Sequence, residues 1–293
     1  MPRPLLAGRI PPGEMYPAGV PGIETHWLDI DGRLRLRVLQ AGPQDGRPVL
    51  LIHGWGASVY SWRHAIPALA SEGCRVHAVD MPGHGLSDKP AGREWYSREA
   101  MTHVAARVLE LLDLSSALVA GHSMGGGIAL SLALARHPRV ARIALIAPVG
   151  LGPVRLTGVL RVAAPLPLAS VAHLLVPRLL VQTLLTLAYF DASRLGERDI
   201  DEYWAPSQFE GFAAATVQLL REFSWDPAPP AALAELRCPV LVVEPTRDHL
   251  IPDVETGARA IPGARIARVP GGHAVLEENP GGTLPVLLAF ARG

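Results

Sequence analysis

Lysine is almost missing from this chain: of its 27 basic residues only Lys89 is a lysine and the other 26 are arginines. The plainest reading is a codon bias of a GC-rich genome. Cysteine is scarce too. Cys74 and Cys238 cannot staple a chain of 293 residues, so a disulfide scaffold is excluded. Charge of one sign is lacking, since 27 basic side chains face 27 acidic ones. A protein built to grip phosphate backbones needs a basic face, so nucleic acid is not an expected partner. No uninterrupted apolar run is long enough for a bilayer span. The uncharged stretch 162–177 holds Pro165, Pro167, Pro177 and His173 and is flanked by Arg161 and Arg178. The first twenty residues lack the apolar core of a secretory signal, and a cytoplasmic protein is expected. H-E-x-x-H, C-x-x-C and Walker patterns are all absent, and no metal or cofactor is expected.

Core-building material is plentiful. Hydrophobic residues make up 49% of the chain and charged ones 18%, far from a disordered composition. Residues 1–22, rich in proline and glycine, read as an extended arm. Residues 25–30 and 34–40 alternate around Asp31-Gly32, the pattern of a tight hairpin. Strands are then expected at 48–52, 75–80, 117–120 and 140–147, and helices at 61–72, 97–112 and 124–136. This alternation predicts a parallel sheet covered on both faces. It returns late, with strands at 239–243 and 265–269 and helices at 253–260 and 279–291. Between them, at 150–230, strand patterns vanish into a leucine-rich, proline-punctuated helical insertion.

The sharpest local signal is Gly121-His122-Ser123-Met124-Gly125, a G-x-S-x-G pattern between an expected strand and an expected helix. A serine hydroxyl is a poor nucleophile and needs a base and a group that orients the base. Four histidines follow Ser123: His137, His173, His249 and His273. His137 precedes Pro138 at a helix end, His173 lies in the apolar insertion, and His249 adjoins the best acid. His273 follows a strand and Gly271-Gly272, at the sheet end where parallel-sheet proteins gather ligands. Asp248, after the strand at 239–243, is the leading acid. Glu244 is the second choice, and Asp226 and Asp191 are distant ones. An oxyanion would need N–H donors. Met124, at a helix N-terminus, is one candidate, and Trp55 in His53-Gly54-Trp55-Gly56 is the other.

These residues resemble the α/β-hydrolase superfamily, in the capped branch of esterases, lipases, epoxide hydrolases, dehalogenases and carbon–carbon bond hydrolases. The likeness spans about residues 25–291. Its markers are His53-Gly54-Trp55-Gly56, Asp80-Met81-Pro82-Gly83-His84-Gly85-Leu86-Ser87, the Ser123 turn, Asp248 with Ile251-Pro252, and Gly272-His273 with Glu277 and Pro280. The resemblance implies an α/β-hydrolase fold: a mostly parallel twisted sheet with helices on both faces and a helical cap inserted after the sixth strand. The core would be 23–149 with 231–293, and the cap 150–230. Three departures matter. Pro245 stands where family members often have glycine, which keeps Glu244 in play. Ser123 replaces the aspartate nucleophile of epoxide hydrolases and dehalogenases. His122 stands where carbon–carbon hydrolases tend to carry asparagine.

The expected function is hydrolysis of a small hydrophobic carboxylic ester by Ser123, His273 and Asp248, with Trp55 and Met124 as oxyanion donors. Trp55, His122, Tyr189 and Trp204 are the expected substrate-binding residues; Leu174, Leu175, Leu184 and their neighbours read first as packing between the cap helices and the core, and as a partial apolar lining of the pocket second. Cleavage of a carbon–carbon bond, perhydrolysis and a non-catalytic accessory role on the same scaffold are the rivals. Fold alone does not choose among them.

Overall fold

A computed structural model describes residues 10–155 and 176–293. Its frame is one eight-stranded sheet: β1 (Ile23–Ile30), β2 (Leu34–Ala41), β3 (Arg47–Ile52), β4 (Cys74–Val79), β5 (Ala117–His122), β6 (Val140–Ile146), β7 (Val240–Pro245) and β8 (Arg265–Val269). The spatial order is β1-β2-β4-β3-β5-β6-β7-β8. The β1–β2 and β2–β4 pairs are antiparallel, and every later pair is parallel. Ile52 lies opposite both Val79 and Gly121, and Ile146 opposite both His122 and Val243. The strands therefore end together, and the loops that leave them share one edge.

Strand alternation builds two cores. Leu50, Ile52, Val119, Ile143, Leu145 and Val242 face one layer, with the Arg98–Leu111 and Met124–Leu134 helices. Val49, Leu51, Leu118, Ala144, Leu241 and Val243 face the other, with the Ala65–Ser71 and Pro280–Arg292 helices. The Arg98–Leu111 helix starts at Ser97, whose hydroxyl accepts from the Ala100 N–H, and buries Met101, Val104, Ala105, Val108 and Leu109. That is the one-sided stripe of an amphipathic helix.

The single helix expected over 61–72 is two pieces, a 3-10 turn at Val59–Trp62 and an α-helix at Ala65–Ser71. Pro67 explains the break. Its ring would clash with the Arg63 carbonyl in a continuous helix, whereas the first turn of a new helix tolerates it. The arm also differs from the extended chain expected. From residue 10 it forms a 3-10 turn at Pro12–Glu14 and buries Ile10 and Met15 against Leu86, Ala205 and Phe209. Tyr16 N–H donates to Glu202 Oε1 at 2.8 Å, and Arg37 Nη1 donates to the Tyr16 carbonyl at 3.1 Å.

Between β6 and β7 the described residues form helices at Arg178–Ala188, Glu197–Trp204, Phe212–Glu222 and Pro230–Leu233. His173, Leu174 and Leu175, expected in the apolar insertion, lie outside the described residues. No helix among the described residues is long and apolar enough to cross a membrane.

Candidate active site

β5 hands the chain to the Met124–Leu134 helix in one residue. Ser123 sits at φ 52°, ψ −115°, a conformation that stores about 1–3 kcal/mol of strain and persists only where its surroundings fix it. Its N–H donates to the Ile146 carbonyl at 2.9 Å, and its carbonyl accepts from Val149 N–H at 3.0 Å. The flanking glycines are a steric requirement. A Cβ at Gly121 would meet the Gly125 carbonyl oxygen at 2.1 Å, and one at Gly125 would meet the Ile52 carbonyl oxygen at 2.1 Å.

His273 arrives from the loop after β8. Its Nε2 lies 2.9 Å from Ser123 Oγ and its Nδ1 2.8 Å from Asp248 Oδ2. Asp248 leaves β7 through a tight turn in which its Oδ1 accepts from Leu250 and Ile251 N–H, at 2.8 and 3.0 Å. Burial pushes the Asp248 carboxyl up. The facing imidazole and the two backbone donors outweigh burial and hold it below the usual carboxylate range. With Asp248 ionised, His273 carries its proton on Nδ1 and offers a bare Nε2 to the serine hydroxyl. That is the arrangement of a general base and its nucleophile.

The other acids stand apart. Glu244 binds Arg268 and the Glu255 N–H. Asp191 binds Ser193 and Arg194, and Asp226 offers its main-chain carbonyl to Arg98. His249 is exposed, and His137 closes the Met124–Leu134 helix through its N–H to Leu132.

The loop after β3 crosses directly over the serine. A Cβ at Gly54 would lie 3.2 Å from Ser123 Cβ. Gly54 to Ala57 form a turn closed by Ala57 N–H to the Gly54 carbonyl, with Gly56 at φ +71° as a type II turn demands. His53 completes the loop. Its Nε2 accepts from Met81 N–H at 3.0 Å, so its Nδ1 carries the proton and donates to the Gly54 carbonyl at 2.7 Å. That carbonyl and the Trp55 N–H belong to one trans peptide and point in opposite directions. Holding the oxygen therefore aims the N–H. Met124 N–H, at the first position of its helix, has no acceptor one turn back.

His122 lies inside the site rather than at its mouth. Its Nε2 donates to the His273 carbonyl at 2.9 Å, and its Nδ1 is next to Gly54. Burial first, then the neighbouring His273, hold it neutral by lowering its pKa to about 3. Tyr189 is buried near Glu277, Arg63 and Asp199. Trp204 donates its indole N–H to the Val176 carbonyl at 2.8 Å. Among the described residues no group of three or more His, Cys, Asp or Glu side chains is arranged to hold a metal ion.

Sequence reasoning assigned no role to three residues around this site. Arg37 makes a fully buried pair with Asp80, Nε to Oδ2 at 2.7 Å, which fixes the loop beneath His53. Glu277 ties Arg63 and Tyr203 together. Glu278, beside it, accepts from the Gly272 N–H at 2.7 Å. Gly272-His273 with Glu277 drew attention to this loop, but nothing local gave Glu277 a partner or pointed to Glu278.

Residues 47–280 match the model of the alpha/beta hydrolase fold family. The chain is similar to the dihydrolipoyllysine-residue acetyltransferase component of the acetoin cleaving system of Pseudomonas putida, 41% identical over 124 residues. That match takes in 42% of this chain and 32% of the relative, so the chain spans about a third of the relative's length. A longer match is to the magnesium-chelatase 30 kDa subunit of Rhodobacter capsulatus, 31% identical over 263 residues, covering 87% of this chain and 90% of that one. Among solved structures, carboxylesterase CesB from Bacillus subtilis superposes with a TM-score of 0.76 at 20% identity, over 92% of this chain and 91% of that one.

Proposed function

The chain belongs to the α/β-hydrolase fold family, and within it we propose a serine hydrolase that cleaves carboxylic esters with a hydrophobic acyl or alcohol part. Ser123 Oγ attacks the ester carbonyl as His273 Nε2 takes its proton. Asp248 stabilises the imidazolium that forms. The oxyanion is held by the N–H groups of Trp55 and Met124. His273 returns the proton to the departing alcohol, leaving an acyl group on Ser123, and water resolves it by the same steps in reverse. Trp55's indole would wall the acyl side, with Tyr189 and Trp204 contributing from the cap. His122 would act through His273 rather than on substrate.

The observation that carries this reading is the unbroken hydrogen-bond chain from Ser123 through His273 to Asp248, at 2.9 and 2.8 Å, beginning at a serine with φ 52°. Its test pairs chromogenic esters with a fluorophosphonate probe. Wild type should turn over esters and take up the probe, and Ser123→Ala should do neither. Equal turnover by the two proteins would refute the nucleophile. Faster turnover of a dienoic diketone, or of peroxide with an acid, than of any ester would shift the same machinery to carbon–carbon cleavage or perhydrolysis.

A second reading rests on the nearly end-to-end similarity to the chelatase subunit: a non-catalytic accessory protein. A probe that leaves Ser123 unmarked in folded protein favours it over the hydrolase. We also propose a cytoplasmic location, supported by Cys74 and Cys238 standing unpaired. Recovery of the protein from a periplasmic fraction would overturn that.

A further inference from the structure

The Glu278 carboxylate carries no ion pair of its own among the described residues, yet it is buried and fully used. Oε2 accepts from Gly272 N–H at 2.7 Å and from Phe190 N–H at 3.1 Å, and Oε1 accepts from Asp191 N–H at 2.8 Å. Gly272 immediately precedes His273. Phe190 and Asp191 follow the Arg178–Ala188 helix of the cap. One carboxylate thus bridges the cap and the loop that bears the base.

Other contacts lie in the same seam. Ala274 N–H donates to the Ala188 carbonyl at 3.0 Å, and Arg194 Nη1 donates to the Glu278 carbonyl at 2.9 Å. The two backbones approach so closely that a Cβ at Gly272 would meet Phe190 N at 2.5 Å. On its far side His273 is held through its carbonyl by His122. The loop is therefore gripped by a core residue on one side and by the cap, through Glu278, on the other.

We propose that Glu278 is a positioning residue that locks cap residues 188–191 to the His273 loop, so that the cap must be seated for the imidazole to stand within reach of Ser123. The proposal rests on the hydrolase reading for its kinetic consequence, though not for its structural one. Three backbone N–H groups can all be satisfied by a carboxylate because both of its oxygens accept. A carboxamide has one accepting oxygen, and its NH2 would face at least one N–H. A buried donor left without a partner is costly, so the seam should open.

Glu278→Gln is the test, read in two ways. Hydrogen–deuterium exchange should show residues 188–191 and 271–274 losing protection together, by roughly tenfold or more. Ester hydrolysis should show kcat lower by about 10- to 100-fold with KM within about twofold, the signature of a displaced base rather than a lost binding contact. Loss of protection in one segment alone overturns the coupling. Joint loss with kcat unchanged overturns the positioning role. If wild type neither hydrolyses esters nor takes up the fluorophosphonate probe, the hydrolase reading fails, and the exchange measurement still decides the coupling. Should the glutamine variant not fold, Glu278→Asp keeps the charge on a shorter arm, and the same two readouts apply to it.

Discussion

Asp80 and Asp248 are near copies in their surroundings. Each follows a strand of the parallel sheet, β4 or β7, and each is buried. Each accepts two backbone N–H bonds: Asp80 from Val59 and Leu86, Asp248 from Leu250 and Ile251. Each then faces one cationic or basic side chain, Arg37 Nε at 2.7 Å or His273 Nδ1 at 2.8 Å. In both, burial pushes the carboxyl up, and the facing group and backbone donors bring it below its ordinary range. The difference is the partner's proton. A guanidinium keeps its proton in proteins, whereas an imidazole gives and takes one near neutrality. The same carboxylate setting therefore makes a rivet at one strand end and, in the proposed function, one part of a proton relay at another.

Asparagine at each position should separate the two. Asp248→Asn should lower kcat by about 10⁴-fold, by favouring the tautomer that presents a proton to Ser123, and should leave thermal stability nearly intact. Asp80→Asn should do the opposite. It strands the Arg37 guanidinium in a dry interior and should lower unfolding free energy by about 3–5 kcal/mol. Denaturant melts beside ester kinetics measure both. A large stability loss in the Asp248 variant, or an activity loss without destabilisation in the Asp80 variant, would break the comparison.

Much of this arrangement is legible in the sequence, and the illegible part has a physical pattern. The serine turn could be read because its backbone geometry restricts residue type. Gly121 and Gly125 are small because carbonyl oxygens occupy the space a side chain would need. The sheet could be read because strands covered on both faces carry apolar residues at consecutive positions, as Val49 to Ile52 do. Arg37 could not. Arg35 and Arg37 fall on the same face of β2 by alternation, and one is exposed and the other buried. Only the arm and the loop that pack over Arg37 tell them apart. Glu277 and Glu278 pose the same difficulty. Adjacent and chemically equal, they are sent to Arg63 with Tyr203 and to Gly272 with Phe190 and Asp191. Distant partners decide, and a local pattern carries no record of them.

His53 lies between the rivet and the proposed relay, since its ring grips the Gly54–Trp55 peptide whose N–H is the proposed oxyanion donor. His53→Leu removes both ring hydrogen bonds. It should lower kcat by about 10²-fold, the scale of one misdirected oxyanion donor, while KM changes little. A fall in kcat as deep as that of Asp248→Asn would mean that the relay itself had moved, and the two strand ends would no longer be separable.

Acid should expose a weakness that neither carboxylate causes. His77 and His84 are buried, and burial, the largest cause for each, lowers their pKa values to about 4 and about 3. His122 is lowered to about 3 in the same way. A base whose folded value lies below its unfolded value takes up protons in the unfolded chain that the fold refuses. Stability from these groups is therefore complete above about pH 6.5 and falls as pH drops toward the folded values. Asp80 and Asp248 are acids, also depressed, and hold their contribution until pH falls into the ordinary carboxylate range, losing it toward their folded values. Between pH 6.5 and 5 His77, His84 and His122 should each remove up to about 2 kcal/mol, since one proton is worth about 1.4 kcal/mol per pH unit. His77→Leu, remote from the serine on β4, isolates one such contribution. Its unfolding free energy should fall less than that of wild type over this interval, by up to about 2 kcal/mol, with ester turnover at neutral pH unchanged. Parallel losses in the two proteins would show that His77 contributes nothing to the acid sensitivity, and would leave it with His84 and His122, away from both carboxylates.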